Sequence, residues 1–147
     1  MEIDWFGHAC FRLHGKECTV ITDPYSKEIG LSFARPRGDI VTISHDHPGH
    51  HFAAGVKGEP KVIAGPGEYE IKNVFITGVP TAHDKKGGKD RGSNTVYVFD
   101  MDGLTICGSS IETISAASPA LIVDTPPTGT SSTLTLPSAS AWGCVGT

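Results

Sequence analysis

The segment that most constrains this chain is residues 44–51, where four of the seven histidines fall within seven positions. It comes directly after the apolar run at residues 40–43, which is rich in β-branched residues and predicts a strand. Imidazole binds zinc, iron or manganese through one neutral ring nitrogen, and several imidazoles meet at one ion only when a rigid turn aims them inward. The segment therefore predicts a metal site at a strand end. The alternative is a solvated polar loop that is rich in histidine.

Short strands dominate the first hundred residues. Runs enriched in β-branched and aromatic residues, and bounded by Gly, Pro or Asp, predict strands at residues 2–6, 10–13, 18–22, 39–43, 61–64, 69–71, 74–78 and 95–100. Two dipeptides predict hairpin turns: Lys72-Asn73 and Asp102-Gly103.

Helix signal is scarce. The best helix candidate is residues 48–56, because Pro48 suits the first position of a helix. Residues 24–38 have the composition of a loop with at most one turn of helix. This organisation is typical of a β-sandwich with outer helices, in which strand-end loops gather at one edge to build a site.

Length and composition favour one domain over residues 1–147 in the cytoplasm. No apolar run approaches the ~20 residues needed to span a bilayer. No basic segment leads into an apolar stretch after Met1, so we expect neither a secretory signal nor a membrane partner. The net charge of −4 argues against nucleic acid as a main partner, because a phosphate backbone requires a basic face.

Several motifs together identify a family resemblance. His45, His47 and His50 have the spacing His-x-His-x-x-His, and the chain opens with a W-x-G-H-A-x-F pattern at residues 5–11. Residues 20–24, 65–70 and 79–83 fit the same family. The chain resembles the metallo-β-lactamase superfamily, whose signature is His-x-His-x-Asp-His, and within it the ascorbate-6-phosphate lactonase-like and related uncharacterised hydrolases. The resemblance covers about residues 1–106 and weakens beyond them.

The resemblance implies an α+β fold, a metallo-β-lactamase-like αββα sandwich that is strand-rich and incomplete at this length. It implies that His45 and His47 join the distant His83 at metal site one, and that His50 helps to hold metal site two. The cofactor it implies is one or two zinc ions, with manganese or iron as alternatives. It also places Asp23 at a strand end, where the carboxylate orients the metal-binding histidines.

The residue types indicate what chemistry such a site performs. A metal held by three histidines keeps a position open for water, and bound zinc lowers the pKa of that water from about 16 toward ~7, so hydroxide becomes available at neutral pH. Asp23 or Asp46 can accept a ring N–H from a ligand histidine. The alternatives are that Asp46 caps a helix or turn and that Asp23 only ends its strand. His8 either lines the pocket or binds substrate, or it is an ordinary histidine at a sheet edge.

Two features distinguish this chain from the family pattern. Gly49 stands where the signature has aspartate, and no histidine follows His83. The strand at residues 104–107 runs into Gly108-Ser109-Ser110 where the family has a His-x-Gly-Asp motif. We therefore expect a divergent or truncated C-terminal third, residues 107–147, and an altered site two.

Two functions follow from these observations. The first is a metal-dependent hydrolase that uses metal-bound hydroxide on an ester, lactone, amide or phosphodiester. The second is a catalytically weak or inactive metal-binding relative with only site one preserved. The loop at residues 84–92, with four basic residues, either steers an anionic small-molecule substrate or is simply flexible and solvated. The chain could also form a homo-oligomer.

Overall fold

The computed structural model describes residues 1–109, 120–124 and 132–135, and their strands form two sheets. In the first sheet the strands lie side by side in chain order: β1 (Glu2–Gly7), β2 (Cys10–His14), β3 (Thr19–Thr22), β4 (Ile40–Ile43) and β5 (Lys61–Ala64). Strands β1, β2 and β3 are antiparallel, whereas β3, β4 and β5 are parallel. Parallel neighbours end at the same edge of a sheet, so the segments that follow β3 and β4 emerge together.

The second sheet is antiparallel throughout. Its strands are β6 (Gly67–Ile71), β7 (Val74–Ala82), β8 (Ser93–Met101), β9 (Leu104–Ser109), β10 (Ala120–Asp124) and β11 (Ser132–Thr135), in chain order across the sheet. The hairpin turns predicted at Lys72-Asn73 and Asp102-Gly103 are confirmed. All four residues have positive φ, as a tight two-residue hairpin turn requires.

The hydrophobic core lies between the two sheets and joins side chains from both. Its buried members on the first sheet are Phe11, Leu13, Val20, Ile40 and Ile63, and those on the second include Val74, Ile76, Tyr97, Phe99 and Ile106. The opposite face of the first sheet is also covered, because Ile21 and Val41 pack with Tyr25 of the following loop. Burial on both faces explains why residues 40–43 are β-branched throughout and do not alternate between apolar and charged residues.

The strand predictions are confirmed with shifted boundaries. Each predicted run lies largely within a strand, but β3 begins at Thr19, one residue later than expected. The β7–β8 hairpin is longer than expected, since β7 continues to Ala82 and β8 begins at Ser93. The extended hairpin reaches the edge where β4 ends. There Thr95 of β8, which pairs with Pro80 of β7, donates its N–H to the carbonyl of Ser44 at 2.9 Å.

The predicted helix at residues 48–56 is wrong. Residues 48–50 form a turn, and only Ala53–Gly55 form a single 3-10 turn. In a helix the carbonyl of Pro48 would accept the N–H of Phe52. Instead Pro48 accepts from Ser26 at 2.9 Å, and Phe52 donates to Pro24 at 2.7 Å. The loop after β3 thus takes the backbone groups that a helix would use.

Residues 24–38 form the predicted loop, with one 3-10 turn at Lys27–Ile29. No α-helix occurs among the residues that the structure describes, so the outer helical layers of the expected αββα sandwich stay a prediction. Within the same ranges, no helix has the length and apolar character to cross a bilayer. Most of the C-terminal third, including Ser110, lies outside the described residues.

Candidate metal centre

Four chain segments meet at one edge of the sandwich. The histidine segment follows β4, and Asp23 follows the neighbouring parallel strand β3. His83 follows β7 of the second sheet, and His8 lies in the turn between β1 and β2. Hydrogen bonds tie these segments together: the Asp23 N–H donates to Thr42, and the Ser44 N–H donates to Asp23 Oδ1 at 2.7 Å.

The structure brings three of the four predicted metal ligands together, and the fourth, His83, lies against His45. His45, His47 and His50 each offer a ligand atom, and these atoms all lie within 4.8 Å of one another. The ring of His45 is 4.2 Å from that of His50 and 4.4 Å from that of His83, measured between centroids. His45 therefore links the histidine segment to the residue contributed by the second sheet.

Two ring nitrogens in this cluster are buried without a partner. They are Nδ1 of His50 and Nδ1 of His83, and among the described side chains they are the only buried polar atoms that lack a hydrogen bond. The nearest charge to His50 Nδ1 is Asp23 Oδ2, but at 3.4 Å the pair is an electrostatic contact rather than a hydrogen bond. Leaving a buried polar group unpaired costs about 1–3 kcal/mol, so a bound cation fits the Nδ1 lone pair of His83, whereas Nδ1 of His50 faces the Asp23 carboxylate.

The electrostatics keep His45 in the form that binds metal. Burial first, and then repulsion from the neighbouring rings of His50, His83 and His47, lower the pKa of His45 to about 4, although a hydrogen bond with Asn94 opposes the shift. His45 is therefore neutral at pH 7, and a neutral imidazole has a free lone pair for a cation.

Short polar contacts orient two of the rings. Ser44 Oγ lies 3.0 Å from His45 Nδ1, and the N–H of Gly49 donates to His47 Nδ1 at 3.1 Å. Such contacts fix ring orientation in metal sites generally.

Asp23 lies beside the cluster, as its predicted orienting role requires. Its side chain is buried, and its backbone has a φ of 38°, an uncommon conformation outside glycine. Oδ1 accepts the Ser44 N–H, and Oδ2 faces His50. The carboxylate thus contacts His50 rather than His45 or His47, the two histidines that the resemblance assigns to site one.

The Asp46 carboxylate does not face the rings that the sequence predicted it to orient. Its side chain is 95% exposed, and Oδ1 contacts Nδ1 of His51 at 2.5 Å. The side chain of Asp46 thus points to solvent, while the neighbouring rings of His45 and His47 lie 5.8 Å apart between centroids, with His47 at the exposed edge of the cluster. The carboxylate therefore accepts from a surface histidine and not from a ring of the cluster.

His8 belongs to the cluster and is not an isolated histidine at a sheet edge. Its Nε2 lies 3.1 Å from Nε2 of His50, and the two ring centroids are 4.7 Å apart. The prediction that His8 lines the pocket is consistent with this place.

Two further residues contact His45 that the sequence did not single out, Asn94 and Ser44. Asn94 is 2% exposed, bonds to His45 and donates to Thr81 Oγ at 3.2 Å. The available signal was a polar amide at the start of a strand that directly follows the loop from His83. Ser44 was the first residue of the histidine segment, but its sequence position did not show that its hydroxyl would meet the ring of His45.

The loop at residues 84–92 is organised rather than open. Both oxygens of Asp84 accept backbone N–H groups, with donors at Lys86, Gly88, Asp90 and Arg91. These bonds, that from Arg91 foremost, lower the pKa of Asp84. The N–H of His83 donates to Gly92 at 3.1 Å and closes the base of the loop, which fixes the backbone of His83.

The comparisons with known proteins agree with this geometry. Residues 2–133 match the profile of a family described as a beta-lactamase superfamily domain, a match that runs past residue 106. The chain belongs to the metallo-β-lactamase superfamily. It is 30% identical over 131 residues to a UPF0173 metal-dependent hydrolase of Methanoculleus marisnigri, covering 72% of this chain and 56% of that protein.

A solved structure is also similar to this superfamily member. It is the crystal structure of a candidate Zn-dependent hydrolase of the metallo-β-lactamase superfamily from Thermotoga maritima. The TM-score is 0.56 with 41% sequence identity, over 71% of this chain and 46% of that one. The chain thus spans about half the length of the relatives that it matches.

Proposed function

We propose that this protein is a metal-dependent hydrolase whose histidine cluster holds a divalent cation, zinc first, with manganese or iron as alternatives. The observation that carries the proposal is the group of imidazoles at the sheet edge: ligand atoms of His45, His47 and His50 lie within 4.8 Å of one another, and Nδ1 of His83, beside His45, is buried without a partner. A bound cation would take up the lone pair of such a buried ring nitrogen. The metal-dependent relative from Methanoculleus marisnigri supports the same function.

The residues of the chain divide the work of such a site. His45, His47 and His83 would hold the ion, which when bound supplies a Lewis acid and lowers the pKa of a water to about 7. Ser44 and the Gly49 N–H hold the rings of His45 and His47 in place. These contacts hold the proposed metal-binding ring nitrogens in a fixed arrangement at the edge of the sandwich.

The substrate class that we propose is an ester, lactone, amide or phosphodiester with an anionic group. The loop at residues 84–92 carries four exposed basic residues and begins directly after His83. Charge near a site raises the local concentration of oppositely charged small molecules. The geometry of the loop, folded on the Asp84 carboxylate, would keep that charge near the proposed ion.

One observation favours a second candidate, a metal-binding relative with weak or no hydrolytic activity. Gly49 has no side chain at the aspartate place of the histidine signature. A site two that lacks this carboxylate would bind its ion less tightly, and hydrolysis that depends on two ions would fall. Activity at full zinc occupancy separates the two candidates.

The test compares His47→Ala with His14→Ala. His14 is exposed and contacts only Thr19 among the described side chains, so it serves as the matched control. We expect zinc content after dialysis to fall roughly tenfold or more in His47→Ala, since loss of a ligand should cost at least as much as loss of an orienting partner. Hydrolysis of a generic ester and of a bis-aryl phosphodiester should fall with it. Equal zinc content in both variants would refute the site, and zinc-loaded protein without hydrolysis would favour the second candidate.

A further inference from the structure

Gly49 owes its lack of a side chain to space and not to backbone conformation. A Cβ built on Gly49 would lie 2.7 Å from Nε2 and 3.2 Å from Cδ2 of His8, and 3.2 Å from Nδ1 of His47. Its φ lies outside the left-handed region, so an L-residue would fit the backbone. The imidazole of His8 therefore occupies the volume into which a side chain at position 49 would extend.

The distance from His8 to His50 suits two ligands of one ion. Their Nε2 atoms are 3.1 Å apart. Two nitrogens bound to zinc at 2.0–2.1 Å in a tetrahedral site lie about 3.3 Å apart. Without an ion, the same pair is a hydrogen bond in which one ring carries the Nε2 proton. Asp23 Oδ2 faces Nδ1 of His50, which places the proton of His50 on Nδ1 and leaves its Nε2 lone pair directed at His8.

The backbone around this pair is held in an uncommon conformation. His8 has a φ of 51° and Asp23 a φ of 38°, and both side chains contact His50. Trp5 Nε1 donates to the carbonyl of His8 at 2.9 Å, and the edge of Tyr25 packs against its ring. Left-handed residues other than glycine persist where the surrounding structure holds them, and they concentrate at functional sites.

We propose that His8 is a metal ligand, and that His8 and His50 together bind a second divalent ion beside the one held by His45, His47 and His83. The proposal rests on the proposed metal centre. It assigns to an imidazole from the β1–β2 turn the position that a side chain at Gly49 would fill. The glycine at position 49 and the histidine at position 8 are then one feature, because either a side chain at 49 or the ring of His8 can occupy that volume.

The test measures metal stoichiometry in the whole chain by calorimetric titration with Zn²⁺ and by the visible absorption of added Co²⁺. His8→Gly removes the ring and tolerates the left-handed backbone. We expect two ions per chain in the unmodified protein and one in His8→Gly, or at least a tenfold weaker second site. The matched control is His51→Gly, which removes an exposed imidazole that contacts Asp46, and it should keep both ions.

A second variant tests the shared volume. Gly49→Ala places a methyl group 2.7 Å from His8 Nε2 and should expel the ring, so it should lose the same ion as His8→Gly. In the double variant His8→Gly/Gly49→Ala the clash with His8 is gone and only His47 Nδ1, at 3.2 Å, still lies close to the methyl group, so we expect no further loss of zinc. Circular dichroism confirms that each variant is folded.

The outcomes separate this proposal from the proposed function. Unmodified protein that binds no zinc would refute both. Zinc binding that is identical in stoichiometry, and within threefold in affinity, between the unmodified protein and His8→Gly would refute the role of His8 and leave the centre at His45, His47 and His83 intact.

Discussion

Asp23 is expected to stabilise the apo protein through one buried hydrogen bond, and the size of that contribution can be worked out from the structure. Its Oδ1 accepts the N–H of Ser44 at 2.7 Å, and both residues are buried. A hydrogen bond to a charged group contributes about 1.5–3 kcal/mol. Asp23→Ala removes this acceptor and also places alanine at a φ of 38°, where a left-handed residue costs about 1–2 kcal/mol. The free energy of unfolding should therefore fall by about 3–5 kcal/mol.

Asp23→Asn separates the two contributions. Asparagine tolerates left-handed backbone and retains an Oδ1 acceptor for Ser44, so its free energy of unfolding should fall by less than about 1 kcal/mol. Asp102→Ala is the control for backbone strain at an exposed site, because Asp102 also has a positive φ, 53°, and the hydrogen bond that its Oδ2 accepts from the Lys16 N–H is exposed to solvent. It should cost about 1–2 kcal/mol.

Urea denaturation in the presence of a chelator measures all three variants without contribution from metal. With a slope near 1–3 kcal/mol per molar urea, the Asp23→Ala midpoint should drop by about 1–5 M. If the free energies of unfolding of Asp23→Ala and Asp23→Asn differ by less than about 0.5 kcal/mol, the Ser44 bond and the backbone strain contribute nothing measurable. That result would refute the expected contribution of Asp23.

Two further predictions concern a loop and a surface ion pair. Asp84→Ala removes an acceptor for four backbone N–H groups, so trypsin should cleave the loop at residues 84–92 at least several-fold faster than in the control Asp90→Ala; equal cleavage would contradict the bonding. The pKa of Asp39 is lowered, first by its hydrogen bond with Lys72, so its contribution to stability is present above the usual aspartate pKa and is lost as pH falls through the lower folded value. Asp39→Asn should therefore flatten the loss of urea midpoint between pH 6 and pH 3 relative to Asp100→Asn, and parallel curves would count against this pairing.

The sequence by itself determined the strands, the hairpins and the type of site. A run of β-branched and aromatic residues bounded by Gly, Pro or Asp is a local signal, so it located the strands to within a few residues at most ends. Residues 40–43 followed by His45, His47 and His50 were enough to predict imidazoles turned inward at a strand end, because ligand spacing and strand support lie in one short segment. These features depend on neighbours in the chain, and neighbours are visible in a sequence.

The tertiary structure decided which distant groups meet. Residues 48–56 begin with a helix-start signal, but Pro48 and Phe52 hydrogen-bond with the loop at residues 24–26 instead of with each other. A local sequence pattern does not show that a distant loop competes for these groups. Asp46 looked equivalent to Asp23 as a carboxylate beside the histidines. Yet only Asp23, which directly follows the parallel strand next to β4, faces the cluster.

The contact between His8 and Gly49 is the clearest case. In sequence, Gly49 is a missing carboxylate and His8 is a single histidine near the start of the chain. In the fold, the β1–β2 turn lies over the histidine segment, and Nε2 of His8 lies 2.7 Å from the position that a Cβ on Gly49 would take. Whether a volume is empty or filled depends on every segment that packs around it, so it is decided by the tertiary structure and not by the residue at position 49.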